Sequence, residues 1–180
     1  MPMLGIMASA ISGNLWAPAG AYDSIATGVV DASGTASITF SSIPQTYTHL
    51  QLRGIMAPSG ASSSTNIQFN SDTTTTNYYY HRLQGNGATT NAGAGNLYRI
   101  LDGTGTTTYY QSFVIDILDY ANTNKYKTTR ALAGYDANGS GEIDLTSNLW
   151  KNTAAITTIT FTLDTPNFNI NSSFALYGIK

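Results

Sequence analysis

ITTITFTLD, residues 156–164, places Ile159, Phe161 and Leu163 on one side of an extended chain and Thr158, Thr160 and Thr162 on the other. A period of two carried by β-branched and aromatic residues belongs to a strand with one face on a core and one in water. The same arrangement recurs in SITFSS (37–42), where Ile38 and Phe40 oppose Ser37, Thr39 and Ser41. It recurs again in HLQLRGI (49–55), where Leu50 and Leu52 oppose His49, Gln51 and Arg53, and in SFALYGIK (173–180), where Phe174 and Leu176 lead to a gap at Gly178. One-sided alternation of this kind characterises antiparallel sheets.

Working outward, candidate strands fall at 22–30, 36–40, 49–55, 65–70, 78–83, 97–101, 109–118, 127–135, 143–145, 156–163 and 173–179, one or two more than the fold is expected to keep. Runs rich in Gly, Asn, Ser and Thr at 58–64, 85–95, 102–108 and 138–141 read as surface loops. No ten-residue stretch after residue 20 has helical periodicity. The expectation is an all-β fold, an antiparallel β-sandwich or jelly roll over residues 21–180, preceded by an extended apolar N-terminal arm over residues 1–20.

Composition narrows the function classes. Charged residues make up 10% of the 180, against about a quarter in an ordinary soluble domain, and Glu142 is the single glutamate. There are no cysteines, so disulfides and thiolate metal sites are excluded. A net charge of −2 lacks the basic footprint of a nucleic-acid binder. Lys125, Lys127 and Arg130 read as one solvated strand face. No apolar run is long enough to span a membrane as a helix.

The N-terminal stretch MPMLGIMASAISGNLWAPAG has no Lys or Arg for a secretory n-region and is broken by Gly5, Ser12, Gly13 and Asn14, so it is read as part of the mature protein. Met3, Leu4, Ile6, Met7, Ile11, Leu15 and Trp16 make it an arm whose burial gain does not exceed the entropy of ordering it alone. It therefore calls for a surface to dock on, either its own sandwich, or a neighbouring subunit or another protein. Leu4, Ile6, Met7, Ile11, Leu15 and Trp16 are the candidate assembly contacts.

Catalytic and metal motifs are scarce. His49 and His81 have no motif partners, and His49 is expected on a wet strand face. Asp116 and Asp119 sit three apart on a strand, so they face opposite sides rather than forming an acid–base pair. DANGSGEIDLTS (136–147) puts Asp136, Asn138, Ser140, Gly141 and Asp144 at positions one, three, five, six and nine of a calcium loop, but Ser147 stands where the bidentate glutamate belongs. A hairpin turn on Asn138-Gly139 accounts for the same residues. The glycine-rich 85–95 segment has neither Lys nor a following helix to hold a phosphate, and no cofactor is implied. Tyr78, Tyr79 and Tyr80, with Tyr109 and Tyr110, are candidate glycan contacts.

WAPAGAYDSIAT (16–27), SITFSSIPQTYTHLQLRGI (37–55), VIDILDYANTNKYKTTRALAGYD (114–136) and SSFALYGIK (172–180) resemble a family of tailed-bacteriophage virion structural proteins frequent in cyanophage genomes. The resemblance implies a non-enzymatic β-sandwich component on the outer surface of the particle, assembled in the host cytoplasm. A capsid decoration (cement) protein or a fibre or tail-tip component, acting as a homotrimer with other virion proteins as partners, is the expected role. The alternative is a carbohydrate-binding receptor-recognition module that contacts host surface glycan.

Overall fold

The computed structural model describes residues 20–61, 64–103, 105–164 and 167–180. The arm residues Leu4, Ile6, Met7, Ile11, Leu15 and Trp16 lie outside the described residues.

Twelve strands are present among the described residues: β1 (Tyr22–Val29), β2 (Ser37–Phe40), β3 (His49–Met56), β4 (Ser64–Phe69), β5 (Tyr78–Gly85), β6 (Thr90–Gly95), β7 (Arg99–Asp102), β8 (Gln111–Leu118), β9 (Lys127–Asp136), β10 (Gly141–Trp150), β11 (Ile159–Leu163) and β12 (Ser173–Ile179). They form an eight-stranded sheet in the order β1-β12-β3-β8-β9-β10-β5-β6 and a four-stranded sheet in the order β2-β11-β4-β7. Every pairing is antiparallel. The expected all-β sandwich is thus the architecture found.

The alternating residues pack as expected. Leu50, Leu52, Ile115, Ile117, Phe174 and Leu176 of the large sheet meet Phe40, Ile67, Phe69, Ile159 and Phe161 of the small one, all buried. Phe174 is the junction: its ring centroid lies 6.1 Å from that of Phe161, 5.6 Å from Phe113 and 5.2 Å from Phe168. A second cluster joins Phe69, Tyr78 and Trp150 at 5.5–6.4 Å. Its polar ends are satisfied: Trp150 Nε1 donates to Asp72 Oδ2 at 2.9 Å, and the Tyr78 hydroxyl accepts from the Phe69 N–H at 3.0 Å.

Several boundaries differ from the sequence expectation. The described residues hold twelve strands, not nine or ten, because all eleven candidates are kept and the 85–95 segment adds β6 rather than being all loop. Gly93 and Gly95 of β6 sit against the Arg82 and Tyr80 side chains, where a Cβ would come within 2.8 Å and 3.1 Å of them. Glycine there lets an edge strand lie flat over long neighbours. β10 runs ten residues, not three, and β11 starts at Ile159 because residues 156–158 form a connection pinned by Asn70, whose Oδ1 accepts from the N–H groups of Thr157 and Thr158. Lys125, Lys127 and Arg130 do not share a face. Lys127 is fully buried and its ammonium donates to the carbonyls of Asn122, Lys125 and Thr153, while Lys125 and Arg130 stay exposed.

The gap at Gly178 has a specific occupant, since the Tyr47 ring lies directly on it and a Cβ would fall 2.3 Å from the ring. Gly178→Ala therefore destabilises the domain by about 1–3 kcal/mol in urea unfolding. In a Tyr47→Ala background most of that cost disappears; an equal cost in both backgrounds contradicts the contact.

Candidate interaction surface

β10 is inverted with respect to strands such as β8, β11 and β12. Asp144, Thr146, Asn148 and Trp150 point inward and are buried, whereas Ile143 and Leu145 point outward and are 59% and 47% exposed. The cause is β7, the edge strand of the small sheet, which lies over β10. An edge strand presents unpaired backbone groups that cannot be left dry. β10 supplies their partners from side chains: Asp144 Oδ2 accepts from the Asp102 N–H at 2.6 Å, the Thr146 hydroxyl donates to the Ile100 carbonyl, and Asn148 Nδ2 donates to the Arg99 carbonyl.

Around this seam lies an ionic cluster in which the carboxylate is buried and the two arginines are partly exposed. The Asp102 carboxylate pairs with Arg82 and with Arg99 Nη1 at 2.8 Å, and accepts from the Ser64 hydroxyl at 3.1 Å. Burial pushes the Asp144 carboxyl up to about 7, the Glu142 charge pushes the same way, and Arg82 and Arg99 oppose both.

Because β10 and β5 turn their polar residues inward, their apolar ones are left on the far side of the large sheet. Across that outer face Leu83, Leu145, Leu132 and Val114 stand in register on β5, β10, β9 and β8. Leu83 is 55% and Leu132 46% exposed. One row over, Ile143 stands between Gly85 and Gly134, which leave depressions on either side of it. Two shallow clefts result, one of about 490 Å³ lined by Leu83, Leu118, Leu145, Thr128 and Arg130, the other of about 590 Å³ lined by Val114, Leu132, Gly134, Tyr135 and Ile143. The row on the other side of the leucines is polar: His81, Ser147, Arg130, Asp116 and Gln51. There Asp116 accepts from Arg130 at 2.9 Å and from Gln51 at 2.6 Å. The outer face of the small sheet differs in kind, with Thr39, Thr160, Thr162 and Gln68 in its rows and a 3.1 Å hydroxyl contact between Thr39 and Thr160.

The sequence candidates are placed as follows. Tyr78 and Tyr80 face the interior and are buried, so the expected three-tyrosine glycan platform is not formed; the period of two leaves only Tyr79 of the three on the outer face. Tyr109 is exposed in the β7–β8 connection and the Tyr110 hydroxyl donates to the Ile170 carbonyl at 2.7 Å. Asp116 and Asp119 are separate. Asp119 starts the turn after β8 with φ +48, next to Lys125 and His49, and Lys125 holds its carboxyl below the usual range. His49 Nδ1 accepts the Asp119 N–H at 2.9 Å. In the 136–147 loop, Asn138 and Gly139 have φ +57 and +98, closing the β9–β10 hairpin with the Ala137 N–H donating to the Ser140 carbonyl. Asp144 belongs to the buried seam, not to that loop. The aliphatic outer face was missed in the sequence, although Ile143 and Leu145 alternating with Asp144 and Thr146 carried the signal.

Comparison with protein-family models, with curated proteins and with solved structures finds no match.

The raised Asp144 pKa fixes the sign of a pH effect. Between roughly pH 4 and 7 the folded state holds a proton that the unfolded state, ionising near 3.9, has lost, so stability falls as pH rises through that window, by at most roughly 4 kcal/mol. Urea unfolding of the native chain and of Asp144→Asn over this range checks it: the loss of stability with rising pH is shallower in the variant, and parallel curves contradict the assignment.

Proposed function

We propose that this chain is a non-enzymatic structural protein on the exterior of a tailed-bacteriophage particle, a capsid decoration or a fibre or tail-tip component, that assembles as a homotrimer through its apolar N-terminal arm. The observation that carries the reading is the outer face of the eight-stranded sheet. Aliphatic side chains occupy rows where a solvated sheet face would be polar, and exposed apolar patches of this type mark interaction sites. The all-β sandwich, the sparse charge and the resemblance to virion proteins support the same role. Many copies on one particle make individually modest contacts sufficient. The carbohydrate-binding alternative has less support, because two of its three central rings are in the core.

Deleting residues 1–16 yields, under this reading, a protein with an unchanged β-type circular dichroism spectrum that no longer enters phage particles assembled in an infected host. Incorporation of the truncated chain at the level of the full chain contradicts the role given to the arm.

A further inference from the structure

Among the described residues nothing covers the outer aliphatic face, which is built into the fold. Leu83, Leu145, Leu132 and Val114 form one row, with Ile143 beside them, and none of these positions or the intervening Gly85, Gly134 and Ser112 is ionisable. Arg130 and Asp116 of the adjoining row are already paired with each other, so a ligand for the leucine row needs no charge and is rich in large apolar side chains. Residues 1–19 meet that description: they contain no Asp, Glu, Lys, Arg or His, and they carry Leu4, Ile6, Met7, Ile11, Leu15 and Trp16.

We propose that the Leu83–Leu145–Leu132–Val114 row receives a segment from within residues 1–19 of a second copy of this chain. Length allows it. Four strands at about 4.8 Å spacing put the row at roughly 15 Å across, which four or five extended residues cover, leaving about a dozen to bridge between two sandwiches. The point of exit favours exchange over self-docking. The arm joins at β1, the edge of the large sheet opposite β6. Between β1 and the leucines, β12, β3 and β8 present Tyr177, Arg53, Gln51 and Asp116, with the Arg53 guanidinium over the Tyr22 and Tyr177 rings and hydrogen-bonded to Gln51, which in turn donates to Asp116. The arm exits at the Tyr22 end of β1, so a segment crossing in its own sandwich meets that polar strip first, the uncharged row through Ser173, Ile55 and Ser112 starting at the far, Val29 end, whereas a segment arriving from a neighbour reaches the row from the β6 side, past Ala92. A donor arm and an acceptor face on different parts of one chain make a head-to-tail contact, which closes into a ring when the rotation permits.

This inference rests on the reading of residues 1–19 as an assembly arm and adds the surface that the arm grips. The chain has no cysteine, so engineered pairs are unambiguous. One set of full-length chains carries a single cysteine at Leu4, Ile6, Ile11 or Leu15; a second carries Leu132→Cys, and a control carries Thr160→Cys on the hydroxyl-bearing face of the small sheet. Chains are mixed in pairs under mild oxidation and disulfide-linked dimers are measured, circular dichroism confirming that each variant is folded. The expected result is a linked dimer of at least one arm variant with Leu132→Cys in clear excess over Thr160→Cys. Adding Leu145→Lys to the acceptor weakens the contact by roughly tenfold. Equal linkage at both faces overturns the proposal, as does a bridge that forms only within one chain when both cysteines are on the same molecule. Purified protein is sufficient, so failure here with loss of particle entry on arm deletion sends the arm to another virion protein, while linkage with particle entry unaffected by the deletion keeps the contact and removes the assembly role.

Discussion

The four phenylalanine rings that meet at Phe174 hold the two sheets in one relative position. Phe161 comes from β11 of the small sheet, Phe113 and Phe174 from β8 and β12 of the large one, and Phe168 from the connection between β11 and β12. Once that packing is set, four strands cover the inner side of eight, and β7 is the small sheet's last strand over β10. The edge of β7 must find hydrogen-bond partners without a fifth strand, and it takes them from Asp144, Thr146 and Asn148. That requirement decides the orientation of β10.

The orientation has a consequence on the opposite side of the sheet. A strand has two faces and a period of two, so polar residues committed inward send Ile143 and Leu145 outward, and their neighbours Leu83 and Leu132 stand in the same register. The interior seam and the exterior apolar row are two results of one alternation. A protein that functions by attachment can use such a face, and a freely soluble monomer gains nothing from it. The proposed role in a virion, and the proposed exchange of arms between copies, both give the row something to do.

Strands whose apolar residues face the core were readable in the sequence. β2, β3 and β12 stand close to where the alternation of Ile38, Leu50 and Phe174 puts them, and β11 ends where Phe161 and Leu163 alternate with threonine. Sequence alternation shows only three residues of β10, because its buried set is Asp144, Thr146, Asn148 and Trp150, a pattern explained by the edge of β7, and β7 is distant in sequence. β6 has the sequence of a loop because Gly93 and Gly95, which weaken any strand signal, make room for Arg82 and Tyr80. The three consecutive tyrosines were legible as strand but not as a platform, since adjacent strand residues cannot share a face. The aliphatic row leaves no mark in any single stretch of sequence, since its members come from β5, β8, β9 and β10 and only the pairing register brings them together.

Hydroxyl-radical footprinting of the full-length chain at concentrations where it self-associates tests the central claim that the outer aliphatic face is a contact surface. Oxidation of Leu83, Leu132, Ile143 and Leu145 is expected to be suppressed relative to Val29 and Ile170, which lie exposed outside the row. Oxidation of the four at the rate their exposure in the monomer dictates would show the face open to water and contradict the account.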